Sequence, residues 1–340
     1  MNFNTIHRKY FQYCLLLTAS YLLLKSSYAQ TVTRVDAVGI TVLDMDRALN
    51  FFTKVLPFEK ISEIEVAGAE YEKLKGVFGI RYKKVRLRLG DEEIELTDYL
   101  TTGGRSIPED SRSNDLWFQH IAIVVSNMDS AYARLRKFGA QHVSTSPQTL
   151  PKTIPAAEGI RAFYFRDPAG HNLELIYFPA GKGNPKWQNS KGKIFLGIDH
   201  TAIGISNTQQ SRRFYAALGV NYKGESFNFG IEQEHLNNVE GASLHISGNK
   251  ALDGIGVEFL EYLKPKGGRP YPKDERADDL IHFETLMISN DIESLFSKLK
   301  RENVHFVSTS VIQIPISSYC YKKGFYIRDP DGHVIGIFEE

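Results

Sequence analysis

Two side chains stand out because strand alternation sets them apart from their neighbours. In the run FQHIAIVV from Phe118, His120 shares a face with Ala122 and Val124, while Ile121, Ile123 and Val125 take the other. The imidazole therefore lies opposite the bulky set expected to pack under helices. Glu174 alternates in the same way against Leu173 and Leu175, which places a carboxylate on the open face of a sheet whose reverse is core. An unpaired carboxylate in that setting is costly to bury, and a cation removes the cost. Metal binding is thus the chemistry these residues suggest together. Taken singly, a satisfied strand histidine or a surface glutamate explains either one. Thiol chemistry has little to offer: Cys14 lies in the N-terminal segment and Cys320 has no histidine-rich neighbourhood, so Cys320 is expected to be a buried small apolar residue.

The elements that position these residues repeat. Residues 103–116 read GGRSIPEDSRSNDL and residues 267–280 read GGRPYPKDERADDL, an offset of about 164. The same offset, within two residues, relates VSTS at 143–146 to VSTS at 307–310 and RDPAGH at 166–171 to RDPDGH at 328–333. Within each half a strand with period-2 alternation runs through a polar residue into a helix with period-3.6 apolar spacing. Such openings begin at Val35, Phe118, Ile198 and His282, with Asp44, Asn127, Asn207 and Asn290 near the helix starts as candidate caps. The RDPxGH segments read as turns, with proline presetting the bend and glycine supplying a positive φ. Four βαβββ modules follow, spanning roughly 34–100, 116–179, 196–263 and 279–340. The fold class is α+β, with modules pairing into two cupped eight-stranded half-barrels and helices outside. His171 and His333 follow turns and are expected at the surface, while His142, His235, His245, His282 and His305 occupy no recurring slot. Arg105, Arg112, Arg269 and Arg276 of the GGR linkers are read as salt-bridge partners, with an anionic ligand as the alternative.

The strand-cap-helix opening, the RDPxGH turn and the closing LEL, IEL or VEF strand resemble the vicinal oxygen chelate superfamily, which includes glyoxalases, bleomycin-resistance proteins and ring-cleaving dioxygenases. The resemblance spans nearly the whole chain beyond residue 33 and is not specific for one activity. It implies two metal-ligand positions per module, one on the first strand and one on the last. Carried over, these are Ala37 and Glu95, His120 and Glu174, His200 and Glu258, and Glu284 and Gly336. If modules pair in sequence order, one cup receives Glu95, His120 and Glu174 and the other His200, Glu258 and Glu284. If the second pairs with the third, one cup receives His120, Glu174, His200 and Glu258, a complete set that suits one divalent ion such as Ni, Co, Mn, Fe or Zn. We favour this crossed arrangement, which resembles a fused version of the swapped dimer of glyoxalase I enzymes. In the family's mechanism the substrate presents two adjacent oxygens and a carboxylate removes a neighbouring proton, a role that falls to Glu174 or Glu258.

The resemblance therefore implies a metal-dependent lyase, isomerase or epimerase similar to lactoylglutathione lyase. A non-catalytic binding protein like the bleomycin-sequestering members is the alternative from another class, with Trp117, Phe118, Tyr164 and Phe165 available to line its cup. A ring-cleaving dioxygenase is weaker, because those enzymes draw two His and one Glu from their last two modules. Residues 1–29 read as a cleaved signal peptide: Arg8 and Lys9, an apolar stretch from Tyr13 to Leu24, and small residues up to Ala29. The apolar run is short of the ~20 residues a spanning helix needs. The expected location is periplasmic or secreted, with no stable membrane span after cleavage. Export argues against glutathione adducts as substrates, since these belong to the cytosol. Without Arg8, Lys9 and Lys25, the 41 Lys+Arg become 38 against 40 Asp+Glu, a formal charge of −2. No basic surplus recommends a nucleic-acid partner, and no feature requires an oligomer.

Overall fold

The computed structural model describes residues 32–266, 268–315 and 320–340; the expected signal segment 1–29 lies outside them. The first module runs β1 (Val32–Val42), helix Met45–Asn50, β2 (Glu59–Ala67), helix Ala69–Lys75, β3 (Arg81–Leu89) and β4 (Glu92–Tyr99). The second runs β5 (Gln119–Val125), helix Met128–Lys137, the two-residue strands β6 (Gln141–His142) and β7 (Gln148–Thr149), β8 (Arg161–Arg166) and β9 (Asn172–Tyr177). The third contains β10 (Phe195–Ile205), helix Thr208–Leu218, β11 (Asn221–Phe229), helix Ile231–Asn237, β12 (Ser243–Lys250), β13 (Asp253–Gly254) and β14 (Gly256–Lys264). The fourth contains β15 (Phe283–Ser289), helix Ile292–Arg301, β16 (His305–Phe306), β17 (Ile312–Gln313), β18 (Lys323–Arg328) and β19 (Val334–Glu339). Asp44, Asn127 and Asn207 cap their helices, each accepting the N–H three residues on. The fourth cap is Asp291, one residue beyond the expected Asn290.

Two curled sheets result, and the modules cross. One eight-strand path runs β16-β18-β19-β15-β1-β4-β3-β2 and the other β11-β12-β14-β10-β5-β9-β8-β6. The first joins the fourth module to the first, the second joins the third to the second. The central seam of each sheet is an antiparallel pair of opening strands, β1 with β15 and β5 with β10. The helices that follow the opening strands pack outside the cups on the convex faces, where Ile121, Ile123, Ile203 and Ile205 join Met128, Leu135, Tyr215 and Leu218 in the main core. The inward-facing residues of the same strands are thereby left to line the cups.

The two GGR linkers pair with each other. Arg105 bonds Asp279 through its backbone N–H and guanidinium, and Arg269 makes the mirror contacts to Asp115. Leu116 N–H donates to Arg269 O and Leu280 N–H to Arg105 O, both at 2.8 Å. A Cβ on Gly104 or Gly268 would come within 1.6 Å of a carbonyl of the opposite linker, which explains the repeated glycine. His171 and His333 are buried, contrary to the surface placement expected. Each turn folds back so that Asp167 or Asp329 accepts the N–H of its histidine, and the rings reach across to Leu280 O and Gly204 O. They tie the two sheets together.

Candidate metal centre

Register brings the four ligand positions of the second and third modules into one cup. Ala202 on β10 pairs with His120 on one side and Glu258 on the other. Ala122 on β5 likewise stands between His200 and Glu174. Paired residues share a face, so four long side chains ring two methyl groups that leave the centre open. Both alanines are fully buried beneath the ring.

Nε2 of His120 lies 3.1 Å from Oε2 of Glu174, and Nε2 of His200 lies 3.7 Å from the same oxygen. Glu258 approaches through Oε1, 3.5 Å from His200 Nε2. One ligand atom each from His120, Glu174 and His200 lies within 4.8 Å of the others, so this trio can hold a metal ion. Atoms bound to one ion at ~2 Å sit within ~4 Å of each other, a difference that small rotamer changes close. The buried Nε2 of His200 makes no hydrogen bond, an orphan that an ion at this point would satisfy. Two imidazoles and two carboxylates match the donor preference of divalent transition metals.

Charge in the cup points the same way. Burial would lower the His200 imidazole, but Glu258, Asp199 and Glu174 push it up to about 10. Burial pushes the Glu258 carboxyl up to about 7, with Glu174 adding to the rise against the pull of His200. Burial also lowers His120. An excess of carboxylate that draws a proton onto His200 is an excess a cation can neutralise. Beside the cluster opens a cavity of about 590 Å³, walled by Tyr164, Leu236 and Ile246 and by the polar Lys223, Ser226 and Asn228.

A model of the Glyoxalase/Bleomycin resistance protein/Dioxygenase superfamily matches residues 34–175 and 197–337. The chain belongs to this superfamily. It is 34% identical over 152 residues to a 2-epi-5-epi-valiolone epimerase from Actinomyces sp, a match covering 43% of this chain and 80% of that protein. Glyoxalase I from Zea mays superposes with a TM-score of 0.59 at 15% identity, over 90% of this chain and 92% of the maize protein. A putative dioxygenase from Bacillus subtilis superposes with a TM-score of 0.51 at 13% identity, over 91% of this chain and 86% of that one. At these identities the structural likeness shows the glyoxalase-like fold.

The other cup of this superfamily member is built differently. Glu284 occupies the register position of His120, opposite Gly39, and Ala37, Glu95 and Gly336 occupy the remaining three. Lys75, from the short helix Ala69–Lys75, forms an ion pair with Glu284 and donates to Tyr326 Oη at 2.9 Å. Lys84 of β3 forms an ion pair with Glu95. His282 bridges Glu275 and Glu284 at 2.6 and 3.0 Å. Burial would raise the Glu284 carboxyl, but Lys75 and His282 hold it well below the usual range, while burial lowers Lys75 to about 8. Leu286 replaces Ala122, and a Cβ on Gly336 would come within 2.7 Å of the Tyr326 and Phe338 rings. Lysine ammonium groups and apolar side chains therefore fill the place where the first cup leaves its centre open.

Several residues depart from expectation. Cys320 is exposed rather than buried, with Arg86 Nη1 2.9 Å from its Sγ. Tyr164 lines the cavity, but Phe165 packs in the main core and Trp117 stacks beneath the Arg269 guanidinium. Lys75, Lys84 and His282 carried no recurring spacing that marks them. Asp199, whose Oδ2 lies 3.0 Å from His200 Nδ1, was signalled only by its adjacency to His200.

Proposed function

We propose that this chain is an exported, metal-dependent isomerase, epimerase or lyase acting on a small polar substrate with two adjacent oxygens. His120, Glu174, His200 and Glu258 would hold one divalent ion. The observation that carries this reading is the buried Nε2 of His200, which makes no hydrogen bond and converges with His120 and Glu174. When bound, the ion would act as a Lewis acid toward the substrate oxygens and the negative charge that develops on them.

Glu258 is assigned as the base that takes a proton from the carbon beside the substrate carbonyl. Both carboxylates line the cavity, but the Glu258 side chain is 26% exposed against 6% for Glu174, so it is the one more open to a bound substrate. Glu174 is drawn toward His120 and serves as a ligand. Returning the proton to the adjacent carbon would give isomerisation; delivery of a proton to the opposite face of the same carbon by a second group, for which Glu174 is the candidate, would give epimerisation, the activity named for the Actinomyces relative. The mixed polar and apolar wall suits a hydroxylated substrate of modest size, and removal of the signal segment after Ala29 would place the enzyme outside the cytosol.

Metal analysis of purified protein tests the reading. About one divalent ion per chain, lost in the His120→Ala/His200→Ala double variant, is expected. Metal-free protein that still binds aromatic ligands would favour a sequestering protein, and bound iron with catechol-dependent oxygen uptake would favour ring cleavage.

A further inference from the structure

The linker between the two halves reaches the candidate metal centre. Trp187, in the short 3-10 turn Pro185–Gln188, donates its indole N–H to Asp199 Oδ1 at 2.6 Å. The other oxygen of Asp199 lies 3.0 Å from Nδ1 of His200. Consecutive residues of a regular strand point to opposite faces and could not make this contact. β10 is irregular here: its register to β5 shifts between Ile198 and His200, leaving Asp199 without a partner on β5. Such a bulge re-aims a side chain next to a site.

The same stretch is clamped from two sides. Glu92, at the start of β4 in the first module, accepts the Ile198 N–H at 3.1 Å and forms an ion pair with Lys186. A Cβ on Gly197 would collide with both Glu92 Oε2 and the Trp187 ring, so only glycine lets them seat against the strand. The first repeat offers an internal control. Asp36 precedes Ala37 as Asp199 precedes His200, and β1 shifts register at the same point. Asp36 has no imidazole beside it and takes Arg86 and Tyr321 instead. In the third module Gly248 pairs with Glu258 as Arg86 pairs with Glu95, so no arginine competes for Asp199.

We propose that Asp199, held by Trp187 of the inter-repeat linker, is a positioning residue that keeps a proton of His200 on Nδ1 and so leaves Nε2 to ligate a cation held together with Glu174 and Glu258. The inference rests on reading this cup as a metal site. A carboxylate can only accept, so it selects the Nδ1–H form that leaves Nε2 free to ligate. Among the described side chains His120 has no such partner, its Nδ1 making no hydrogen bond.

Asp199→Asn keeps the volume but turns an N–H toward Nδ1, favouring the tautomer whose Nε2 cannot ligate. Trp187→Phe keeps the ring against Gly197 and removes only the N–H. Titration of the full-length mature protein with cobalt(II) chloride, followed by visible absorption, should show Asp199→Asn weakened by about 10–100-fold with an altered spectrum. Trp187→Phe should be weakened less, and urea midpoints should stay near wild type. In metal-free protein with 15N-labelled histidine, a one-bond proton correlation at His200 Nδ1 should be present and should exchange markedly faster with water in Asp199→Asn. Equal cobalt affinity and spectrum in wild type and Asp199→Asn would overturn this inference alone. Wild type that takes up no cobalt would overturn the metal reading and this inference with it. A wild-type His200 without the Nδ1 correlation would overturn the positioning role whatever the metal result.

Discussion

Lys75 places its ammonium group against the carboxylate of Glu284, at the register position that His120 holds in the opposite cup. One duplicated scaffold thus settles the same buried negative charge in two ways. A lysine from the chain does it on one side, and a ring of ligands suited to an exogenous cation stands on the other.

Removing Lys75 leaves Glu284 buried with its main counter-charge gone. Lys75→Met should cost about 3–5 kcal/mol in urea unfolding, the usual penalty for breaking one partner of a buried pair. The double variant Lys75→Met/Glu284→Leu should recover most of that loss. A Lys75→Met protein as stable as wild type would show that the pair contributes nothing.

The two alanines are the space-makers of the open cup. Ala122→Leu reproduces Leu286 of the filled cup and should abolish tight divalent-metal binding at a cost of about 1–3 kcal/mol from overpacking. Equilibrium dialysis against nickel or cobalt, paired with a denaturation curve, separates the two effects.

Acid stability should depend on Glu284. Its ordinary value is near 4.5 and the fold holds it well below, so its contribution is fully present above about 4.5 and is lost as pH falls toward the lowered value. Glu284→Gln should flatten the acid limb of stability against pH. His282 acts with the opposite sign: burial opposes, but Glu275 and Glu284 raise it above its ordinary 6.5, so its contribution is complete below that pH and is lost as pH rises through the folded value. His282→Gln should correspondingly reduce the fall in stability on the alkaline side.

Export is checked directly by expressing the whole chain with its own N-terminus in a Gram-negative host and measuring the intact mass of the soluble product. The expected mass is that of a chain starting near residue 30, recovered from the periplasmic fraction. A full-length cytosolic product would contradict it.

Repetition and alternation made most of the architecture legible. His120 and Glu174 stood out because a period-2 strand with one bulky face leaves its other face conspicuous, and the repeated linkers fixed the offset that identified Glu284 as the counterpart of His120. Pairing of the modules was not legible in this way. It depends on which opening strands meet across the seam, and the decisive contacts are linker crossings such as Arg269 with Asp115. Lys75 carries no signal in the sequence, since in AEYEKLK nothing local tells that the helix caps a cup and turns its last residue inward. His171 and His333 were misplaced for a related reason. A turn motif reports the bend of the chain but not the neighbouring sheet into which the bend delivers the ring. Asp199 reaches His200 through a bulge, and a bulge breaks the alternation on which strand reading relies.

The most direct test is a crystal of the mature protein soaked in cobalt(II) and measured at the cobalt absorption edge. The account predicts one anomalous peak per chain, between His120, Glu174, His200 and Glu258, and none beside Lys75 and Glu284. A peak in the lysine-filled cup, or strong occupancy elsewhere with the four-residue ring empty, would contradict it.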